Sequence, residues 1–142
     1  MTSETISELI SQPLAAGLIG YGGGRFLFDT RYANIGGVNV SSNVALGLGI
    51  GGASLMNEIT KEFTLPLIID KNASESVMLL ASPSLTGIAS IGTITLINSM
   101  NAGSLILPSA SDALKLFALG AVSELGGHYT SDIVKPLVRY LD

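Results

Sequence analysis

Hydrophobic and polar positions in this chain do not alternate in short blocks; they separate into long uncharged runs divided by brief charged turns. Residues 32–57 form 26 positions with no charge between Arg31 and Glu58, and residues 76–111 form another 36. A helix needs roughly 20 mostly apolar residues to cross a hydrocarbon core about 30 Å thick. The first run is long enough for one such helix, and the second is too long for one alone. The pattern predicts an all-α integral membrane bundle of about four transmembrane helices in a single domain. The spans fall at residues 13–28, 42–60, 77–97 and 112–127, and an interfacial helix follows over 128–142.

Local signals refine each element. Residues 2–11 read as a polar lead-in, and Pro13 suits a first helical turn. Leu14 opens an apolar stretch that is charge-free to Gly24, with Arg25 placed to snorkel to the interface from a span ending near Phe28. Between Asp29 and Val40 the chemistry changes to turn and strand: Asn34-Ile35-Gly36-Gly37 precedes the alternating Val38-Asn39-Val40, a short surface loop or small hairpin. Ser41 or Ser42 can then cap the second helix, and Glu58, Lys61 and Glu62 mark its exit into water. Pro66 argues against helix in the following connection, and Ser74 or Ser76 is the next cap. Pro83 predicts a kink near the start of the third span, residues 98–109 a return loop. Ser109 or Ser111 followed by Asp112 opens the fourth helix. Beyond His128 the chain sets Ile133, Val134, Leu137, Val138 and Leu141 against Asp132, Lys135 and Arg139, an amphipathic pattern suited to the interface.

Small residues recur at helical spacing. Gly47 and Gly51 are four apart, as are Ala45, Gly49 and Ala53, so two stripes run along the second span; Ala16, Gly20 and Gly24 form a third along the first. In lipid such stripes let neighbouring backbones approach closely, and they are the predicted helix-packing positions. Gly47, Gly49 and Gly52 also satisfy the dinucleotide-binding spacing G-x-G-x-x-G, with Leu65 to Asp70 available as a second strand ending in an acid. A soluble nucleotide-binding enzyme is therefore a competing expectation, weakened by uncharged runs too long for strands.

Composition moves the balance toward membrane: 47% of the 142 residues are hydrophobic, 13% are charged and the mean hydropathy is +0.53, against about 25% charged in soluble domains. A net charge of −4 with seven scattered Lys and Arg offers no face to neutralise phosphates, so nucleic acid is not an expected partner. The absence of cysteine removes disulfides and thiolate chemistry. Residues 1–8 carry no Lys or Arg, unlike the start of a secretory signal, so an internal span is expected to direct insertion. Four spans place Lys61, Lys71, Lys135 and Arg139 on one side and Arg25 and Arg31 on the other, a thin excess that puts both termini in the cytoplasm. Asn39 and Asn72 each head an N-x-Ser sequon, on opposite sides of that topology.

Glu124 and His128 stand four apart on the last span and face the same way, with Gly120 one turn before. They form a candidate intramembrane polar pair for proton relay, weighed against simple pairing near a helix end. Lys115 beside Asp112 reads as interfacial snorkelling, and Arg25, Asp29 and Arg31 as a solvated turn. One histidine rules out a multi-histidine metal site, and no Ser, Asp and His constellation is present at a recognised spacing. No enzymatic activity and no cofactor are expected.

Taken together, Leu-Ala-Ala-Gly-Leu-Ile-Gly-Tyr at residues 14–21, the glycine ladder, and Phe-Ala-Leu-Gly-Ala-Val-Ser-Glu-Leu-Gly-Gly at 117–127 resemble the small multi-span membrane proteins of large DNA viruses of algae and giant viruses. The resemblance implies a structural component of the virion's inner membrane, associated with the capsid. Its expected partners are the lipid bilayer and other membrane or capsid proteins, in a homo- or hetero-oligomer that packs laterally and anchors a protein shell. A small channel or proton-conducting protein is the alternative.

Overall fold

A computed structural model describes the backbone of residues 3–28, 32–35 and 37–141, and the side chains of these except 3–8, 33–35 and 131–141. Four helices, α1 (Ser3–Leu27), α2 (Ser42–Ile59), α3 (Lys71–Ala102) and α4 (Ala110–Leu141), run up and down in sequence. Each packs on its neighbours in chain order and α4 closes back on α1, while the diagonal pairs scarcely touch. The result is a four-helix bundle. At one end, β1 (Tyr32–Ile35) and β2 (Val38–Ser41) pair antiparallel as a hairpin, Tyr32 opposite Ser41 and Ile35 opposite Val38. Gly37 turns it with φ +87°, a left-handed conformation that favours glycine. The Asn101 side chain donates to the Tyr32 carbonyl at 3.2 Å and ties the hairpin to α3.

Caps explain several boundaries. Ser41 Oγ accepts from the Val44 N–H and opens α2; Ser109 does the same for Asp112 and opens α4. The third helix starts earlier than either serine predicted. Asp70, extended at φ −68°, accepts from Ala73, and Ser74 instead turns inward to donate to the Lys61 carbonyl at 2.7 Å. The connection between α2 and α3 is helical despite Pro66: a wide π turn over Thr60–Thr64 leads into a 3-10 turn, Leu65–Leu67, whose first turn can accommodate a proline. Gly103, φ +72°, closes α3 by donating to Ser99.

Three expectations about span limits change. Residues 3–12 belong to α1 rather than to a lead-in, α3 extends five residues past 97, and 128–141 continue α4 without a break. The amphipathic faces expected over 131–142, and Asp29 and Arg31 of the charged turn, lie outside the described side chains. More consequential is the count of spans. Among the described residues one helix, α3, is long and apolar enough to cross a membrane by length and composition, with a window of mean hydropathy 1.6 of which only 28% is buried. The other three expected spans do not reach that standard, because glycine, serine, asparagine and glutamate dilute their leucines and isoleucines.

Glycines set the spacing of the bundle. A methyl group placed on Gly17 would stand 2.9 Å from the Gly47 carbonyl oxygen, and one on Gly51 would stand 3.2 Å from that of Pro13. Backbone therefore meets backbone between α1 and α2. Gly20 and Gly24 accept the side chains of Ile50 and Leu46, while Gly49, on another face of α2, accepts Thr93 of α3. Ala16 is wholly buried with Leu46, Ile50, Leu116 and Leu119, Ala45 packs with Ile97, and Ala53 is half-buried. Gly22 and Gly92 face open space. Replacing both Gly47 and Gly51 by leucine should lower the thermal aggregation midpoint in mild detergent, since each overpacked site costs typically 1–3 kcal/mol. The control pair Gly22→Leu and Gly92→Leu should leave it nearly unchanged, and equal midpoints for the two pairs would show that the α1–α2 contact tolerates bulk.

Candidate functional site

The bundle's interior is unusually polar at the level where α2 ends. Glu124 of α4 is only 2% exposed, and its two carboxylate oxygens accept from two different helices. Gln12 of α1 donates to Oε1 at 2.8 Å and Thr86 of α3 donates to Oε2 at 3.0 Å. Asn57 of α2 in turn donates to the Thr86 hydroxyl at 3.1 Å and to the Ser82 carbonyl at 3.4 Å. All four helices are thus joined by one network whose donors converge on a single carboxylate. Both carboxylate oxygens of Glu124 are thereby hydrogen-bonded.

Glycines flanking Glu124 make these bonds possible. One turn before it, a side chain on Gly120 would collide with the Thr86 carbonyl and with Ser90, and would stand 2.7 Å from Gly87 Cα. One turn after it, a side chain on Gly127 would stand 2.9 Å from the Gln12 carbonyl and from Ala16. Gly120 therefore admits α3 and Gly127 admits α1, each bringing its donor into reach. Gly87 completes the first contact, because Phe117 lies against it.

A half-open cavity of about 520 Å³ adjoins the network and takes residues from every helix, among them Gln12, Glu58, Lys61, Ser82, Glu124 and His128. Glu58, expected at the exit of α2 into water, is buried; the π turn carries Lys61 back over it at 3.1 Å. Lys61 also lies 3.9 Å from Glu62, which Lys71 approaches to 3.7 Å. Pro83 cannot donate to the Leu79 carbonyl one turn earlier, and both line the cavity. His128 is exposed at the same cavity, its ring edge-on to Tyr129 at 5.5 Å. The candidate pair thus divides into a buried carboxylate and an imidazole at the opening. Lys115 and Asp112 line a separate cavity of about 280 Å³ near the hairpin end.

Sequence reasoning missed Gln12, Asn57 and Thr86. Each is an ordinary polar residue by itself, and only the glycines either side of Glu124 hinted that neighbours come close. The G-x-G-x-x-G spacing has a different outcome: Gly47, Gly49 and Gly52 all lie inside α2. A phosphate-binding loop needs those glycines at the turn from a strand into a helix N-terminus, so the spacing does not form a dinucleotide-binding turn here.

Replacing Thr86 by valine should destabilise the bundle by about 1–3 kcal/mol, the usual cost of leaving a buried acceptor without its donor. Asn57→Leu should cost a similar amount, and the double variant should fall short of their sum because both act through one chain of donors. Additivity within about 0.3 kcal/mol in a denaturant titration would show that the two bonds are independent.

No protein-family model matches this chain, and neither the curated proteins nor the solved structures give a match.

Proposed function

We propose that this chain is a multi-span integral membrane protein with a structural role, a bundle that packs laterally within a bilayer and anchors a protein layer. The observation that carries the reading is the inverted distribution of polarity. Phe26, Leu48, Leu80, Leu96 and Leu114 point outward, all more than half exposed, while Ser54, Ser74, Thr86, Ser90, Ser123 and Glu124 are buried. A water-soluble bundle keeps leucine inside and serine out, and scattered exposed leucines alone would mean little. Here small and polar groups share the interior with Leu46, Ile50, Leu116 and Leu119, as packing in lipid favours, because lipid supplies no hydrophobic force between helices.

The distribution of charge supports the same reading. Among residues with described side chains, the exposed charges are Arg25, Asp112 and Lys115 near the hairpin end and Asp70, Lys71 and Glu75 at the other. Between them the outer surface is uncharged, over about 24 Å of α2 from Ser42 to Asn57 at 1.5 Å per residue. The resemblance to virion membrane proteins of large DNA viruses makes an inner viral membrane the proposed location and a capsid layer the proposed partner. Alkaline carbonate should leave the protein in the membrane pellet. Quantitative release of a chain that stays soluble without detergent would overturn the reading.

One observation favours a second reading, a small proton-conducting protein. Glu124 lines the half-open cavity that His128 and Lys61 share, so a carboxylate deep in the bundle has a polar route to one end, and ionisable groups at such depth often belong to proton pathways. In liposomes with an imposed pH gradient, the structural reading expects the same leak for the native chain and for Glu124→Gln. A native leak abolished by that substitution would select the conducting reading instead.

A further inference from the structure

An apolar groove of about 560 Å³ runs along the outer surface between α1 and α2. Its floor is backbone, because Gly17 meets Gly47 and Gly51 there, and its walls include the exposed side chains of Leu14, Leu18 and Leu48. No charged residue lines it. It extends from Ile10 to Tyr21 on α1 and from Val44 to Leu55 on α2, about 16 Å on each helix at 1.5 Å per residue. That covers most of the uncharged belt of α2.

One turn beyond Tyr21 stands Arg25, exposed and in the last turn of α1. It falls on the groove's side of the helix, since Leu14, Leu18, Tyr21 and Arg25 follow at spacings of four, three and four. It makes no ion pair among the described residues. Gly52 adds a further feature: it lines the groove, and a side chain there would meet nothing within 4 Å. Unlike Gly17, Gly47 and Gly51, it has no helix contact to explain it, and its missing side chain only deepens the groove.

We propose that this groove holds an acyl chain of an anionic phospholipid whose phosphate pairs with Arg25. The proposal rests on the membrane reading above. A guanidinium offers paired N–H donors in the geometry a phosphate accepts, and Arg25, one turn beyond the groove's end at the edge of the uncharged belt, stands at the level of a headgroup whose chain lies in the groove. A second copy of the chain fits less well. Two copies in the same membrane orientation, joined groove to groove by a two-fold axis, would bring Arg25 against Arg25, and like charges oppose that contact.

The chain has no tryptophan and four tyrosines, so a full-length variant with Tyr32, Tyr129 and Tyr140 changed to phenylalanine emits from Tyr21 alone. The probe is phosphatidylcholine vesicles containing either phosphatidylglycerol or phosphatidylcholine brominated in the acyl chain. Brominated phosphatidylglycerol should quench Tyr21 with an apparent affinity about fivefold higher, the factor corresponding to the ~1 kcal/mol that one basic side chain gains near anionic lipid. Arg25→Gln should bring the two lipids to parity. Gly52→Leu, whose Cβ meets no neighbour within 4 Å, should reduce quenching by both lipids while leaving the melting midpoint nearly unchanged. Parity in the parent variant, a preference that survives Arg25→Gln, or undiminished quenching in Gly52→Leu overturns the site. So does efficient disulfide crosslinking of Leu48→Cys copies with no lipid preference, which assigns the groove to a second copy. Flotation on a density gradient separates the two levels of failure: protein that does not float with vesicles overturns the membrane reading and this site together, whereas floating protein with equal quenching overturns the site alone.

Discussion

The arrangement depends on a carboxylate buried where four helices meet. A carboxyl group removed from water is tolerated only when hydrogen-bond partners replace its hydration, and Glu124 obtains them from Gln12 and Thr86, with Asn57 behind Thr86. Side chains that short reach it only if the helices that carry them come very close. Gly120 and Gly127 permit that approach on either side. The electrostatic requirement and the small-residue packing are therefore one constraint: enlarging a glycine would withdraw a donor, and removing a donor would leave the close approach without its main polar contact.

The same constraint accounts for the modest hydropathy of three of the helices. Residues that allow close contact and interhelical hydrogen bonds, namely Gly, Ser, Thr, Asn and Gln, are those that lower a helix's average apolarity. Among the described residues, α3 is the one helix whose apolar content is high enough to cross a membrane by length and composition. α2 carries four glycines and two asparagines among its 18 residues; Leu48 and Leu55 face outward, while Gly47 and Gly51 meet α1 and Gly49 meets α3. A window average sums over both faces, so a helix with an apolar exterior and a polar, small-residue interior scores below one that is apolar all round.

Much was legible in the chain itself. The length of the uncharged runs, with serine caps and glycine or proline punctuation between them, set four antiparallel helices and a hairpin before α2, because capping and turn chemistry act over a few residues. The spacing of Gly47 and Gly51 marked a packing face, because helical periodicity fixes which residues share a side. Tertiary structure alone decided which helix each glycine meets: Gly49 serves α3 although it stands two residues from Gly47, and Ala16 belongs to the core beside α4 as well as to the stripe of α1. It also decided that Glu58 lies under Lys61 instead of in water, and that Gln12, Asn57, Thr86 and Glu124, spread over 113 residues of sequence, form one network. Local patterns carry rotation about a helix axis. The partners of a buried polar group depend on how separate helices are shifted and turned against one another, and that is settled by packing across the bundle.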